Sequence, residues 1–319
     1  MPASPRSFPE LPPKFPPLPG WARPGRAGEA SVDPAFLAGA ALAAIDPIAR
    51  SFHPLSTLWR RRLALKAAEN LARLQGRAET AAEIRDHFFL TRDGGDPGPA
   101  GNLFVAMRAL CDARATEIEH WSALLAAPLQ LRLEDDVNEL LNCARAVAAH
   151  ERPSKVTAAA PLAAAATVAR ESLRLFPDDP VLAFWLADAV LACRLRWRAP
   201  VPLLATQLTR KDLKEAALLR SDALWVEARI LSYAQSAAAA ADLYADLARR
   251  AEKLLVIAPK LRAKDAPAVV QRLLTEDAQL AGPGAFASDR SSRRLFDRLI
   301  ALGGARELTG RTTSRLYGL

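Results

Sequence analysis

The chain has 319 residues, 50% of them hydrophobic but only 6% aromatic, with a formal charge of +8 and a pI of about 9.8. That length excludes a disulfide-stapled mini-domain and suffices for one large core or two domains. The basic balance suits an anionic partner such as nucleic acid, but it says nothing about fold.

Alanine, the best helix former, is abundant, whereas glycine is sparse and alternating β-branched runs are nearly absent, so the body is expected to be all-α. Cys111, Cys143 and Cys193 are far apart and form no Cys-x-x-Cys. They read as reduced, buried thiols of a cytoplasmic protein. The N-terminus has no apolar signal-like core, and charges interrupt every apolar run, so no membrane partner is expected.

Residues 1–30 form a proline-rich extended tail, because nine prolines there prevent helix and sheet alike. Phe8, Leu11, Phe15, Leu18 and Trp21 alternate with those prolines. Such a segment reads as a strap pinned to the body by its apolar residues, in preference to a free polyproline ligand. Residues 31–259 read as an α-helical domain. Asp33-Pro34 is a capped helix start, and that helix is expected to end near Asp46-Pro47. The next starts near Pro54 and carries Arg62, Lys66, Glu69, Arg73 and Arg77 on one face, read as solvated. Another spans about 80–90, and residues 91–100, with three glycines and two prolines, are a loop. Helical patterns follow at about 101–126, 134–150, 159–175, 180–196, 201–208, 211–233 and 235–258, punctuated by prolines. The stretch from Phe176-Pro177-Asp178-Asp179-Pro180 to Leu191 resembles a tetratricopeptide-type junction, yet no steady period of repeats accompanies it.

Residues 260–319 read as a separate winged-helix-like domain. Ala266–Leu274 is its first helix, and 278–286, broken by Gly282-Pro283-Gly284, is a poor second helix or a loop. The third, from the N-cap Ser288 to Leu302, is amphipathic. Leu295, Phe296, Leu299, Ile300 and Leu302 fall on one arc, with Arg290, Arg294 and Arg298 in a row opposite and Arg293 beside them. Gly303-Gly304 stops the helix, and the remaining residues read as two strands around a Gly310-Arg311 turn, with Arg306, Arg311 and Arg315 on that hairpin. From Ser288 onward seven arginines face three acids, Asp289, Asp297 and Glu307. An arginine-faced helix followed by a basic hairpin has the form of a DNA recognition helix and its wing.

Catalytic chemistry finds no comparable support. Glu117-x-x-His120 is a single Glu-x-x-His where a di-metal bundle site needs two, so no metal is expected. Nucleotide-loop, zinc-protease and nucleophile-elbow motifs do not occur. Asp135-Asp136 and Asp178-Asp179 sit where helix caps belong.

The segments Asp33–Ala44, Arg62–Ala68, Asp96–Gly101 and Arg306–Arg311 together resemble a family of uncharacterised, often plasmid-borne proteins of rhizobia and related alphaproteobacteria. Arg306-Glu307-Leu308-Thr309-Gly310-Arg311 also resembles the winged-helix appendage of Fic-type proteins. His53-Pro54 begins like the Fic catalytic motif, but the glycine, asparagine and arginine that should follow are missing. These readings converge on an all-α, irregular multi-helix body, bundle or solenoid-like, of about ten helices with a small C-terminal winged-helix-like unit. Such a protein would be non-enzymatic and cofactor-free, binding DNA through Arg290, Arg293, Arg294, Arg298, Arg306, Arg311 and Arg315 in plasmid maintenance or transcription. The competing expectation is a helical scaffold with a protein partner, its winged helix structural or dimerising.

Overall fold

A computed structural model describes residues 8–25, 32–92, 94–129, 135–149, 160–218, 221–281, 289–311 and 314–319. The expectations for residues 1–7, the Gly282-Pro283-Gly284 break and the N-cap Ser288 lie outside the described residues. Helices dominate. In chain order they are α1 (Pro34–Arg50), α2 (Pro54–Leu74), α3 (Ala81–Leu90), α4 (Gly98–Leu110), α5 (Trp121–Leu129), α6 (Asp135–Ala149), α7 (Ala160–Leu175), α8 (Pro180–Leu195), α9 (Arg210–Leu218), α10 (Asp222–Ile257), α11 (Ala266–Leu273) and α12 (Asp289–Ala301). Three short strands, β1 (Gln279–Leu280), β2 (Arg306–Glu307) and β3 (Leu316–Gly318), form an antiparallel sheet in the order β1-β3-β2.

Caps fix many of the helix starts. Asp33 accepts from Ala35 N at 2.8 Å, Thr80 and Glu83 form a reciprocal capping box, and Asp179 accepts from Val181 N and Leu182 N. His53 caps α2 through Nδ1, while its Nε2 lies 2.9 Å from the Glu10 carbonyl of the strap. Both ring nitrogens of His53 thus have structural partners.

Several boundaries differ from the sequence expectations. α1 runs through Pro47 to Arg50, because a proline in the last turn costs one backbone bond while Ile48 and Ala49 gain full burial. The predicted helix over 101–126 instead starts at Gly98 and breaks at Asp112, which accepts from Arg114 N and opens a 3-10 turn. The predicted break near residue 234 does not exist. α10 is one helix of 36 residues, with neither glycine nor proline to interrupt it, and the break falls at Ser221 instead. Of the 201–208 pattern, only Leu204–Thr206 is helical, as a 3-10 turn.

α1 lies along α10 through small residues, including Ala38, Ala41, Ala237 and Ala240, all without solvent exposure. Tryptophans pin distant segments, since a buried indole N–H needs an acceptor. Trp59 donates to Ala240 O, Trp185 to Ala106 O and Trp225 to Ala166 O, at 2.8–3.2 Å. Residues 8–19 lie extended across α10. Leu18 is buried, Tyr244 Oη donates to the Pro13 carbonyl, and Arg23 grips Asp242 through two hydrogen bonds of 2.7 and 2.8 Å.

The C-terminal elements dock on α2, α3 and α4 through two adjacent acids. Glu276 pairs with Arg61 of α2 and Arg108 of α4. Asp277, with no solvent exposure, pairs with Arg62 of α2 and Arg85 of α3. The stripe on α2 is therefore not a solvated face. The Arg62 side chain is only 12% exposed, Glu69 accepts from Ala81 N, Arg77 pairs with Glu79, and only Lys66 and Arg73 are exposed. Nor are all three thiols buried, because Cys143 is exposed on α6. Burial pushes the Cys111 thiol up to about 12 and Cys193 up to about 11.

Candidate functional site

α12 rests on the sheet. Leu295, Phe296 and Leu299 are buried, and the Phe296 ring stacks on Tyr317 of β3 with centroids 4.3 Å apart. The expected apolar arc is narrower than its sequence implied, because Ile300 is 40% exposed and Leu302 only half-buried. A tight C-terminal turn ends the helix. Gly303 N–H donates to Ile300 O and Gly304 N–H to Leu299 O, both at 2.8 Å, with Gly303 at φ +72°. Gly304 also lies so close to Ile257 of α10 that a Cβ there would overlap its Cδ1.

The seven candidate arginines divide into three groups. Arg293, Arg294 and Arg298 are exposed on α12, and among the described residues no ion pair engages them. The side chain of Arg290, the fourth on that helix, lies outside the described residues. Two hairpin arginines are engaged within the molecule. Arg311 pairs with Asp86 of α3 at 2.9 Å, and Arg315 lies 3.5 Å from Glu307 and donates to Arg311 O. Arg306, the last of the seven, faces α10 rather than α12.

Around Arg306 the structure assembles a basic cavity that the sequence does not announce. Its volume is about 390 Å³, and its walls include Arg249, Arg250 and Lys253 of α10 with Gly303, Gly304 and Leu319. Asp246 bridges Arg249 at 3.1 Å and Arg250 at 2.7 Å. Partial burial and then the positive charges of Arg250, Arg62 and Arg85 lower the pKa of Arg306, against the opposing charge of Asp246. A helix pattern Arg-Arg-x-x-Lys at 249–253 was the available signal, but nothing in the sequence joins it to a strand more than fifty residues later.

Elsewhere the acids are structural. Asp188, fully buried in α8, accepts from Leu203 N and Leu204 N and has Tyr233 alongside. Burial pushes its pKa up to about 7, against the lowering effect of those hydrogen bonds. Glu117, Glu119 and His120 bring one ligand atom each within 4.8 Å of one another, but both glutamates are exposed and His120 already pairs with Glu117 at 2.9 Å. No helix among the described residues is long and apolar enough to cross a membrane.

The chain belongs to the DUF1403 family of proteins of unknown function, whose family model matches residues 11–319. The match takes in both the N-terminal strap and the last strand. No curated protein matches the sequence.

Proposed function

We propose that this protein is a non-enzymatic DNA-binding protein that meets the duplex through the exposed face of α12. The observation carrying the reading is the division of α12 itself. Leu295, Phe296 and Leu299 anchor one side, while Arg293, Arg294 and Arg298 stand in solvent on the other. Guanidinium groups held in a row on a short anchored helix can pair with phosphates and with guanine edges in a major groove. The strand order β1-β3-β2, with a helix between β1 and β2, supports a winged-helix-like reading of the unit. Of the 278–286 stretch, expected as a poor helix or a loop, residues 279–280 form β1.

A gel shift of the full chain on duplex DNA at low salt tests the proposal. The Arg294→Glu/Arg298→Glu variant should bind at least about tenfold more weakly, and wild-type affinity should fall steeply with salt as condensed counterions are released. Unchanged binding by the variant, or an affinity indifferent to salt, overturns it.

One observation favours a second reading, in which the C-terminal unit is structural and the helical body is a scaffold for a protein partner or a second copy. Arg311 and Arg315 are engaged with Asp86 and Glu307. Under that reading the wild-type chain shifts no DNA at any salt.

A further inference from the structure

The basic cavity at the seam between α10 and β2 is separate from the exposed face of α12. Arg249, Arg250 and Lys253 stand at i, i+1 and i+4 on α10, so one side of that helix presents three cations. Arg306 of β2 faces them across the cavity. Asp246, one turn earlier, touches two of the guanidinium groups and fixes their orientation. Gly303 and Gly304 form the wall beside Arg306, and at Gly303 the space where a Cβ would stand is open.

Charge decides the ligand class. Four cations, Arg249, Arg250, Lys253 and Arg306, face a single acid, Asp246, so three positive charges remain unmatched. Arg62, behind the cavity, donates to the Leu319 carbonyl and is itself matched by Asp277. A monocarboxylate would leave the site still positive, whereas a phosphate-bearing molecule carrying three or more charges neutralises it. Arginine forks suit phosphate oxygens in paired contacts, and lysine supplies a point charge. The volume of about 390 Å³ exceeds what a lone inorganic ion fills and falls within the usual span of roughly 300–1,000 Å³ for small-molecule sites.

We propose that this cavity binds a small phosphate-bearing molecule, with Arg249, Arg250, Lys253 and Arg306 as its ligands to the phosphoryl groups. The site needs nothing from the DNA reading, and the two fail separately. Inorganic pyrophosphate is the probe, titrated calorimetrically into the full chain at low ionic strength. Wild type should give saturable binding at one site. The Lys253→Gln/Arg306→Gln variant should weaken that binding by about tenfold or more, since each lost contact is a charge-assisted hydrogen bond. Arg294→Glu/Arg298→Glu should leave it unchanged. Lys253 and Arg306 are both exposed, so the fold should tolerate their loss. If the variant nevertheless melts early, the wild-type melting temperature decides. Pyrophosphate must raise it relative to chloride at matched ionic strength, and no rise overturns the proposal. Absence of saturable heat overturns it, as does an affinity that the Lys253/Arg306 variant leaves intact. A third overturning result is that this variant weakens duplex DNA binding while pyrophosphate does not bind at all. The cavity would then be an extension of a nucleic-acid surface.

Discussion

Asp277→Asn tests the physical link between the C-terminal unit and the helical body. Asp277 has no solvent exposure and sits between Arg62 and Arg85, which are about nine-tenths buried as side chains. The substitution keeps the shape and removes the charge, leaving two buried guanidinium groups without a counter-ion. Breaking a buried pair in this way costs about 3–5 kcal/mol, because the desolvation already suffered by the arginines is no longer offset. Arg62 would keep only its bond to the Asp277 carbonyl at 3.1 Å and a long one to Leu319 O. For a chain of this size each kcal/mol moves the melting temperature by roughly 2 °C, so a drop of about 6–10 °C is expected. Limited proteolysis should release the segment after residue 260 first, since α11 and β1 flank the lost contact. Replacing all three members together (Arg62→Met, Arg85→Met, Asp277→Leu) should recover most of the loss, because apolar groups of similar volume carry no buried charge. The reasoning is refuted if Asp277→Asn melts within about 2 °C of wild type, or if the triple variant is as unstable as the single one.

Asp188 makes stability depend on pH in a direction opposite to a typical paired carboxylate. Its folded pKa is raised from 3.8 to about 7, so between those values the native state keeps a proton that the unfolded chain has released. Stability therefore falls as pH rises from about 4 to about 7, and Asp188→Asn should flatten that part of the profile. Urea midpoints of both proteins at the two ends of the window measure it, and parallel profiles would reject the assignment. Gly304→Ala should cost about 1–3 kcal/mol, since its Cβ would overlap Ile257 Cδ1 and lie 3.4 Å from Leu254 Cδ1. Adding Ile257→Val removes the overlapping atom, so the double variant should be no less stable than Gly304→Ala alone, as read from denaturant midpoints. Additive losses would show that the alanine finds room elsewhere.

Much of the fold could be read from local chemistry. Asp33-Pro34, Thr80 with Glu83, and Asp179-Pro180 announce helix starts because their caps act within three residues. Of the five apolar residues that alternate with proline in the N-terminal segment, Phe8, Phe15 and Leu18 pack against the core, whereas Leu11 and Trp21 stay exposed. Gly303-Gly304 marked the end of α12 through the backbone geometry that its closing turn requires. What failed was long-range. β1 is a strand because Gln279 and Leu280 meet Tyr317 and Leu316, and nothing in Gln-Leu alone says so. Its partner β3 was legible only as half of the hairpin expected around Gly310-Arg311, where it pairs antiparallel with β2. Arg62 looked solvated because its counter-ion, Asp277, lies more than two hundred residues away. A separation of more than fifty residues likewise hid the cavity, whose cations come from α10 and β2.

The arginines show why a count of charges locates a surface poorly in this chain. Arg61, Arg62, Arg85 and Arg108 come from three helices and would look like a basic face on any helical wheel, yet Glu276 and Asp277 take up all four. Arg311 and Arg315 meet the same fate at Asp86 and Glu307. Internal pairing removes cations wherever the fold brings an acid within reach, so the formal surplus of +8 is concentrated on whatever stays unpaired. Among the described residues, the unpaired cations include Arg293, Arg294 and Arg298 on the outer side of α12 and Lys253 and Arg306 at the seam. The two populations differ in how salt acts on them. Exposed guanidinium groups lose most of their attraction beyond a Debye length of about 8 Å at physiological ionic strength, whereas a pair excluded from water is screened far less. Raising the salt concentration should therefore abolish ligand binding at both basic surfaces well before it loosens the clamp on Asp277. Binding and folding that fail together as salt rises would place the working charges inside the protein rather than on its surface.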